Sequence, residues 1–107
     1  MRLFDYKFFL VLPFLLCAQD RFEAARKLFG ERRFLPAAVA FEEAISAEGE
    51  GGKRYGEIAF WIGQSYFLAA RNAEAIPWLE RSIAAGLTQQ EALYMLGTAS
   101  IRTHDAD

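Results

Sequence analysis

The chain has 107 residues, of which 53% are hydrophobic and 15% aromatic, and its formal net charge is −2. This composition supports one small packed domain and excludes a disordered polar chain. The 12 Lys and Arg residues are scattered, so the sequence has no basic patch of the kind that binds nucleic acid. A single cysteine, Cys17, excludes an intrachain disulfide, and the lone His104 has no cysteine near it to complete a metal site.

The N-terminal segment has the pattern of an export signal. Arg2 and Lys7 precede an uninterrupted apolar run over Phe8–Leu16, and the small residue Ala18 follows. A basic head, a short apolar run and a small-residue exit are typical of a secretory signal peptide. The run is shorter than the roughly 20 apolar residues that span a bilayer. We therefore predict a signal peptide over residues 1–18 and an exported protein, either periplasmic or secreted.

Three alternatives remain for this segment. A lipid anchor on Cys17 is disfavoured because the bulky Leu16 precedes it, where a lipobox has a small residue. An uncleaved N-terminus would instead anchor the chain to the membrane. The run could also form a helix that covers the first repeat, although Pro13 lies in its middle and disfavours a stable helix.

The rest of the chain is a repeat. Gly63 and Gly97 occupy equivalent positions in two successive copies, and Ala25 fills the same position in the copy before them, at a slightly longer spacing. The Gly-rich stretch 48–53 accounts for the longer first spacing, since extra residues in a loop cost little. Each complete copy also carries a ladder of small, large and small residues at steps of four and three. These ladders are Ala37, Phe41 and Ala44 in the first copy, and Ala75, Leu79 and Ser82 in the second.

The spacing from Gly63 to Gly97 equals the period of the tetratricopeptide repeat (TPR), about 34 residues per helix pair. With this period and these small and large positions, the sequence resembles the TPR family over residues 20–107. The resemblance implies an all-α, TPR-like α–α superhelix of stacked antiparallel helix hairpins, with about two and a half repeats. Arg21, where the family often has a large apolar residue, and Ser100, where it usually has Tyr, depart from the family pattern.

Local signals divide the first copy into two helices. Asp20 is a good N-cap for the first helix, which we expect to end near Arg33. Pro36 suits the first turn of the second helix, where its missing N–H is harmless. We expect that helix to end near Glu48, just before a glycine.

Similar signals mark the remaining three helices. Residues 55–70 form the predicted third helix, and Asn72 is a good N-cap for the fourth. Gly86 is expected to end the fourth helix in a left-handed conformation. Thr88 and Glu91 have the spacing of a capping box at the start of the fifth helix.

The resemblance also indicates a binding surface, because TPR proteins line a concave groove with their first helices. By this resemblance, the groove positions of the first copy are Phe22, Arg26 and Phe29, and those of the second copy are Phe60, Gln64 and Phe67. Those of the third copy are Tyr94, Thr98 and Ile101. Each set has the spacing i, i+4, i+7, which places it on one helix face. Aromatic side chains with a few polar groups suit peptide recognition. Helical spacing alone cannot separate such a surface from a core, so both interpretations stay open.

No catalytic motif is found in the sequence, so we predict no enzyme, no cofactor and no metal. Adjacent Glu42 and Glu43 point to different sides of a helix, and we expect both to be solvated. The favoured hypothesis is a protein–protein interaction scaffold in a bacterial-type cell envelope, which binds a peptide or a partner protein. It meets the membrane only through its export signal and binds no nucleic acid. Two alternatives are the N-terminal repeat fragment of a longer protein, and a structural module that forms a homo-oligomer through its C-terminal repeat.

Overall fold

The computed structural model describes residues 17–87 and 89–106, and the side chains of residues 20–87 and 89–104. Within these residues the chain is all-helical, without a β-strand, which confirms the all-α part of the predicted fold. The five helices are α1 (Cys17–Gly30), α2 (Phe34–Glu48), α3 (Tyr55–Leu68), α4 (Asn72–Ala84) and α5 (Gln90–Ala106). Residues 1–16 of the predicted signal peptide, and Thr88 of the predicted capping box, lie outside the described residues.

Helices α1 and α2 form one antiparallel hairpin, and helices α3 and α4 form another. Between α1 and α2, the ring of Phe22 lies 5.5 Å from that of Phe41, and the ring of Phe29 lies 5.1 Å from that of Phe34. From the first contact to the second, the residue numbers rise in α1 and fall in α2, so these two helices run in opposite directions. Each helix packs along the next one in chain order, and α3 also contacts α5.

Helices α3 and α4 approach each other closely at a glycine. A Cβ atom added at Gly63 would lie 2.7 Å from Cγ and 3.2 Å from the backbone N of Leu79. Only a residue without a side chain therefore fits under Leu79. Leu79 and the other ladder residues are fully buried, which confirms that the ladders lie in the packed interior.

Both hairpin turns end the first helix of the pair in the same way. Arg32 and Ala70, which occupy equivalent positions in the two hairpins, adopt left-handed φ angles of 64° and 63°. In each turn the next N–H reaches back five residues: Arg33 N donates to Leu28 O at 3.0 Å, and Arg71 N donates to Tyr66 O at 2.8 Å. This is the Schellman arrangement, here without glycine at its left-handed position.

Two of the predicted caps are wrong. Helix α1 begins at Cys17, so Asp20 lies inside its first turn rather than at the N-cap. The tight Schellman turn leaves Arg71 at the N-cap of α4, and Asn72 becomes the first helical residue with its Oδ1 buried and unpaired. Two helix ends also lie earlier than predicted, because α1 ends at Gly30 rather than near Arg33 and α3 ends at Leu68 rather than at residue 70. The remaining predicted ends are confirmed. Helix α2 ends at Glu48, and Gly86 has a φ of 100° after α4.

No helix among the described residues is both long enough and apolar enough to cross a lipid bilayer.

Candidate functional site

The nine predicted site residues lie on α1, α3 and α5, but they differ in exposure. Phe22 is buried, Phe29, Phe60, Gln64, Phe67 and Thr98 are half-buried, and Arg26, Tyr94 and Ile101 are exposed. We call the half-buried and exposed members of this set the inner surface. The sequence left open whether these nine residues form a core or a binding surface, and the structure shows that some of them are core and others lie at the surface.

Phe22 is a core residue. Its side chain is 2% exposed and its ring packs on those of Phe41 and Trp61. The guanidinium of Arg54 lies 4.0 Å from the ring centroid and covers the remaining side. Phe22 has no free surface to offer a partner, so the assignment of this residue to a binding surface does not fit its position.

Trp61 joins the first hairpin to the second. Its ring stacks on Phe41 at 5.4 Å and meets the edge of Phe29 at 5.0 Å. Edge-to-face and offset-stacked arrangements at these distances stabilise aromatic pairs beyond the area that they bury. Because Phe29 belongs to α1 and Trp61 to α3, the Trp61 side chain bridges these two helices. Trp61 was not among the predicted site residues, although it lies next to the predicted site residue Phe60 and adds apolar surface to the same helix.

A cation lies beside this aromatic cluster. The guanidinium of Arg26 is 5.8 Å from the centroid of the Trp61 ring, at the outer limit of a cation–π contact. Arg26 itself is exposed. Its N–H donors can therefore pair with a carbonyl or carboxylate group of a bound partner while its flat face remains on the tryptophan.

A second cation links α5 to α3. The guanidinium of Arg102 lies 5.1 Å from the ring centroid of Phe67, one of the predicted site residues. Arg102 was missed from the sequence because helical spacing does not report contacts between different helices. This contact joins α5 to α3, and the aromatic contacts of Trp61 join α3 to α1.

A surface pocket of about 560 Å³ lies near the ends of α1 and α3. It is lined by Phe29, Gly30, Arg32, Phe34 and Leu68. Leu68 is 44% exposed, which is a large exposure for a leucine beside a pocket. The size of this pocket and its aromatic, aliphatic and cationic lining suit one apolar side chain of a peptide, with a polar group nearby.

Glu42 is not a free, solvated side chain, so the prediction for this residue is wrong. The Tyr66 hydroxyl donates a hydrogen bond of 2.6 Å to its Oε2 and so ties α3 to α2. Glu43 instead forms a 3.6 Å ion pair with Arg21, and both side chains are about half exposed. Such an exposed ion pair contributes little to stability.

The Tyr66–Glu42 hydrogen bond is expected to make stability depend on alkaline pH. Burial of the phenol, then its hydrogen bond to Glu42 and the charge of that carboxylate, raise the pKa of Tyr66 from 10.0 to about 12. A raised pKa means that the folded state holds the proton more tightly than the unfolded state. The stability contribution is thus complete below pH 10 and is lost as the pH rises from 10 to 12.

Tyr66→Phe is expected to lower the free energy of unfolding at pH 7 by about 1.5 kcal/mol, because a partly buried hydrogen bond to a charged group is lost. It should also flatten the fall in stability between pH 10 and 12, measured by urea unfolding at several pH values. Tyr94→Phe is the control, because Tyr94 is 68% exposed. Equal effects of the two substitutions would contradict the assigned hydrogen bond.

The described residues contain no group of three or more His, Cys, Asp or Glu side chains placed to hold a metal ion. Their ion pairs are Arg21–Glu43, Arg54–Glu57 and Arg71–Glu74, and all three are at least 40% exposed.

Comparisons with protein-family models, with curated proteins and with solved structures give no significant match.

Proposed function

We propose that the chain is a TPR-type stack of α-hairpins and that it serves as a protein–protein interaction scaffold. In this proposal the inner surface is the concave side of the stack, and it binds a peptide or an exposed segment of a partner protein. The protein performs no catalysis and needs no cofactor. The N-terminal pattern of residues 1–18 supports export to a bacterial-type cell envelope as part of the same proposal.

Recurrence of the same environment along the chain supports the repeat assignment. Ile58 and Ser65 on α3 are fully buried, and so are Ala92 and Ala99, their equivalents one repeat later on α5. The Schellman turns at Arg32 and Ala70 recur at the same spacing that relates Ala25 to Gly63. A chain that reuses one packing unit buries a continuous core by stacking that unit on its neighbours.

The binding assignment rests on the half-buried aromatic residues of α1 and α3. Phe29, Phe60 and Phe67 keep part of their surface open, and Arg26 and Gln64 lie among them. Aromatic and Arg side chains dominate the binding energy of many protein interfaces. The pocket beside Phe29 offers a place for one anchoring side chain of the partner.

The chemistry of the inner surface favours an apolar or mixed peptide. Some members of the TPR family hold the C-terminal carboxylates of a partner with Lys and Asn, and those positions here carry Phe22, Arg26 and Gln64. The exposed guanidinium groups of Arg26 and Arg102 beside aromatic rings suit a peptide that has apolar residues and a few hydrogen-bond acceptors.

The double variant Phe60→Ala, Phe67→Ala is expected to keep its helical circular dichroism and to lose peptide binding at least about tenfold, because each removed ring is a candidate anchor. The probe is an array of short peptides that vary in aromatic content and in charge, tested with the full chain. Peptides with aromatic residues should bind the native chain most strongly.

The matched control is Leu35→Ala, Val39→Ala, which removes two exposed apolar side chains from α2, a second helix outside the inner surface. Binding should be unchanged in this control. An equal loss of binding in both double variants would contradict the proposal. Loss of the helical signal in the Phe60, Phe67 variant would show that these aromatics act as core.

A further inference from the structure

Two surface pockets lie beside the turns of the two hairpins. The first is the pocket of about 560 Å³ that is lined by Phe29, Gly30, Arg32, Phe34 and Leu68. The second has a volume of about 370 Å³ and is lined by residues 70–74 together with Arg102 and Thr103. We call them the first and the second turn pocket.

The two turn pockets are built from equivalent positions. Each uses the left-handed residue of its turn, the first residue of the following helix and one residue of the next odd-numbered helix. These are Arg32, Phe34 and Leu68 in the first pocket, and Ala70, Asn72 and Arg102 in the second. Leu68 and Arg102 are separated by the interval that relates Gly63 to Gly97. The same local geometry therefore forms twice along the chain.

Both pockets border the C-terminal end of α3. Leu68, the last residue of this helix, lines the first pocket together with the first hairpin, and Ala70 lines the second together with α5. A helix with its side chains is about 10 Å wide, so the pockets lie about 10 Å apart. An extended chain rises about 3.3 Å per residue and covers this distance in about three residues. One extended peptide can therefore reach both pockets.

The first turn pocket suits an aromatic or large aliphatic side chain. The rings of Phe29 and Phe34 meet edge to face at 5.1 Å in its wall. Leu68 is 44% exposed, so apolar surface at this pocket is open to water in the free chain. An apolar side chain that enters the pocket removes this surface from water, which favours binding.

The second turn pocket is polar. Oδ1 of Asn72 is buried and has no hydrogen-bond partner among the described residues, so this acceptor lacks a donor. Arg102 is exposed at the same pocket and offers N–H donors. Arg71 and Glu74 pair with each other at 3.1 Å, so their charges are balanced. A buried acceptor without a donor is costly, and a ligand that supplies the donor therefore gains affinity.

A primary amide matches the second turn pocket, because it carries donors and an acceptor on one planar group. Its N–H can donate to Asn72 Oδ1, and its carbonyl oxygen can accept from Arg102. A carboxylate would bring a further acceptor to Asn72 and a like charge to Glu74. An ammonium group would bring a like charge to Arg102 and Arg71.

We propose that the two turn pockets bind one extended segment of the partner, with an aromatic or large aliphatic side chain in the first pocket and a Gln or Asn side chain in the second. This inference rests on the proposed function, since it names the class of peptide that the protein binds. The pockets adjoin the inner surface, because Phe29 lines the first and Arg102 lies on Phe67.

The first test measures the affinity of short blocked peptides for the full chain by fluorescence anisotropy. Each peptide carries Phe and a second residue three positions away, in either order, within a background of Ser and Gly. Gln as the second residue is expected to bind at least about tenfold more tightly than Ala, Glu or Lys, because only the amide satisfies both polar groups of the pocket. Placing Gln directly next to Phe should remove this gain.

The second test changes each pocket separately. Asn72→Ala is expected to remove the preference for Gln while the affinity of the peptide with Phe and Ala stays unchanged. Its helical circular dichroism should persist, since the lost oxygen has no partner in the fold. Leu68→Ala should weaken the Phe–Gln and the Phe–Ala peptide by the same factor, because it acts only at the first pocket. Gln90→Ala, at the start of α5, is the control and should change neither affinity.

The outcomes separate this inference from the proposed function. Aromatic peptides that bind without a gain from Gln, or that bind best with Glu or Lys, would overturn the inference and leave the proposed function standing. A native chain that binds no aromatic peptide would contradict both. A preference for Gln that persists in Asn72→Ala would mean that the amide binds elsewhere, which also overturns the inference.

Discussion

Gly63→Leu is expected to lower the free energy of unfolding by about 3 kcal/mol, because the added side chain has no space between α3 and α4. Even the first added carbon would lie 2.7 Å from Leu79 Cγ and 3.2 Å from its backbone N. The helices would have to separate, and Leu79, which is fully buried, would lose its contacts.

Gly97→Leu provides the matched control at the equivalent position of the next repeat. Its Cβ would meet no atom within 4 Å, so the substitution should raise the free energy of unfolding by up to about 1 kcal/mol through helix propensity. Urea unfolding at low micromolar protein concentration, where self-association is negligible, measures both changes. Equal and small effects at the two glycines would show that α4 does not pack on Gly63 as described.

Phe41→Ala is expected to cost about 4 kcal/mol of stability, because it removes the ring at the centre of the first hairpin. Phe41 is fully buried, and its ring lies 5.5 Å from that of Phe22 and 5.4 Å from that of Trp61. The cavity left behind borders both α1 and α3. The loss should therefore include contacts within the first hairpin and contacts between the two hairpins.

The measurement is again the free energy of unfolding, with Leu35→Ala as the control on the same helix. Leu35 is 37% exposed, so its truncation should cost about 1 kcal/mol or less. A loss below about 1.5 kcal/mol for Phe41→Ala would mean that the aromatic cluster is loosely packed. Partner binding should fall in this variant only as far as the folded fraction falls.

The helical period and the ladders were sufficient to predict the number and approximate positions of the helices and the burial of the ladder residues. Phe41 and Leu79 occupy the large positions of the two ladders, and both are fully buried. The turns were harder to predict, because Arg32 and Ala70 adopt left-handed angles that sequence signals assign to Gly or Asn. Packing of the following helix compensates for that local cost, and a local signal cannot report it.

The candidate site could be predicted only to the level of helix faces. Phe22 and Phe29 lie on one stripe of α1, yet the first is buried and the second half-buried. The difference arises from Trp61 and Arg54, which belong to the next repeat and its preceding loop and cover Phe22. Contacts between residues this far apart in the sequence are not encoded in helical spacing. The pocket at Leu68 was missed for the same reason, since it forms where α1 and α3 meet.

The central claim is that the α-hairpins stack side by side, so that α1 and α3 are direct neighbours. Proton–proton nuclear Overhauser effects in solution test it most directly, because Trp61 is the residue that joins the two helices. We predict cross-peaks from the Trp61 indole to the rings of Phe22, Phe29 and Phe41. A spectrum that lacks the Phe22 and Phe29 cross-peaks, or that shows cross-peaks from α1 to Ile101 as in a closed bundle, would contradict the stacked arrangement.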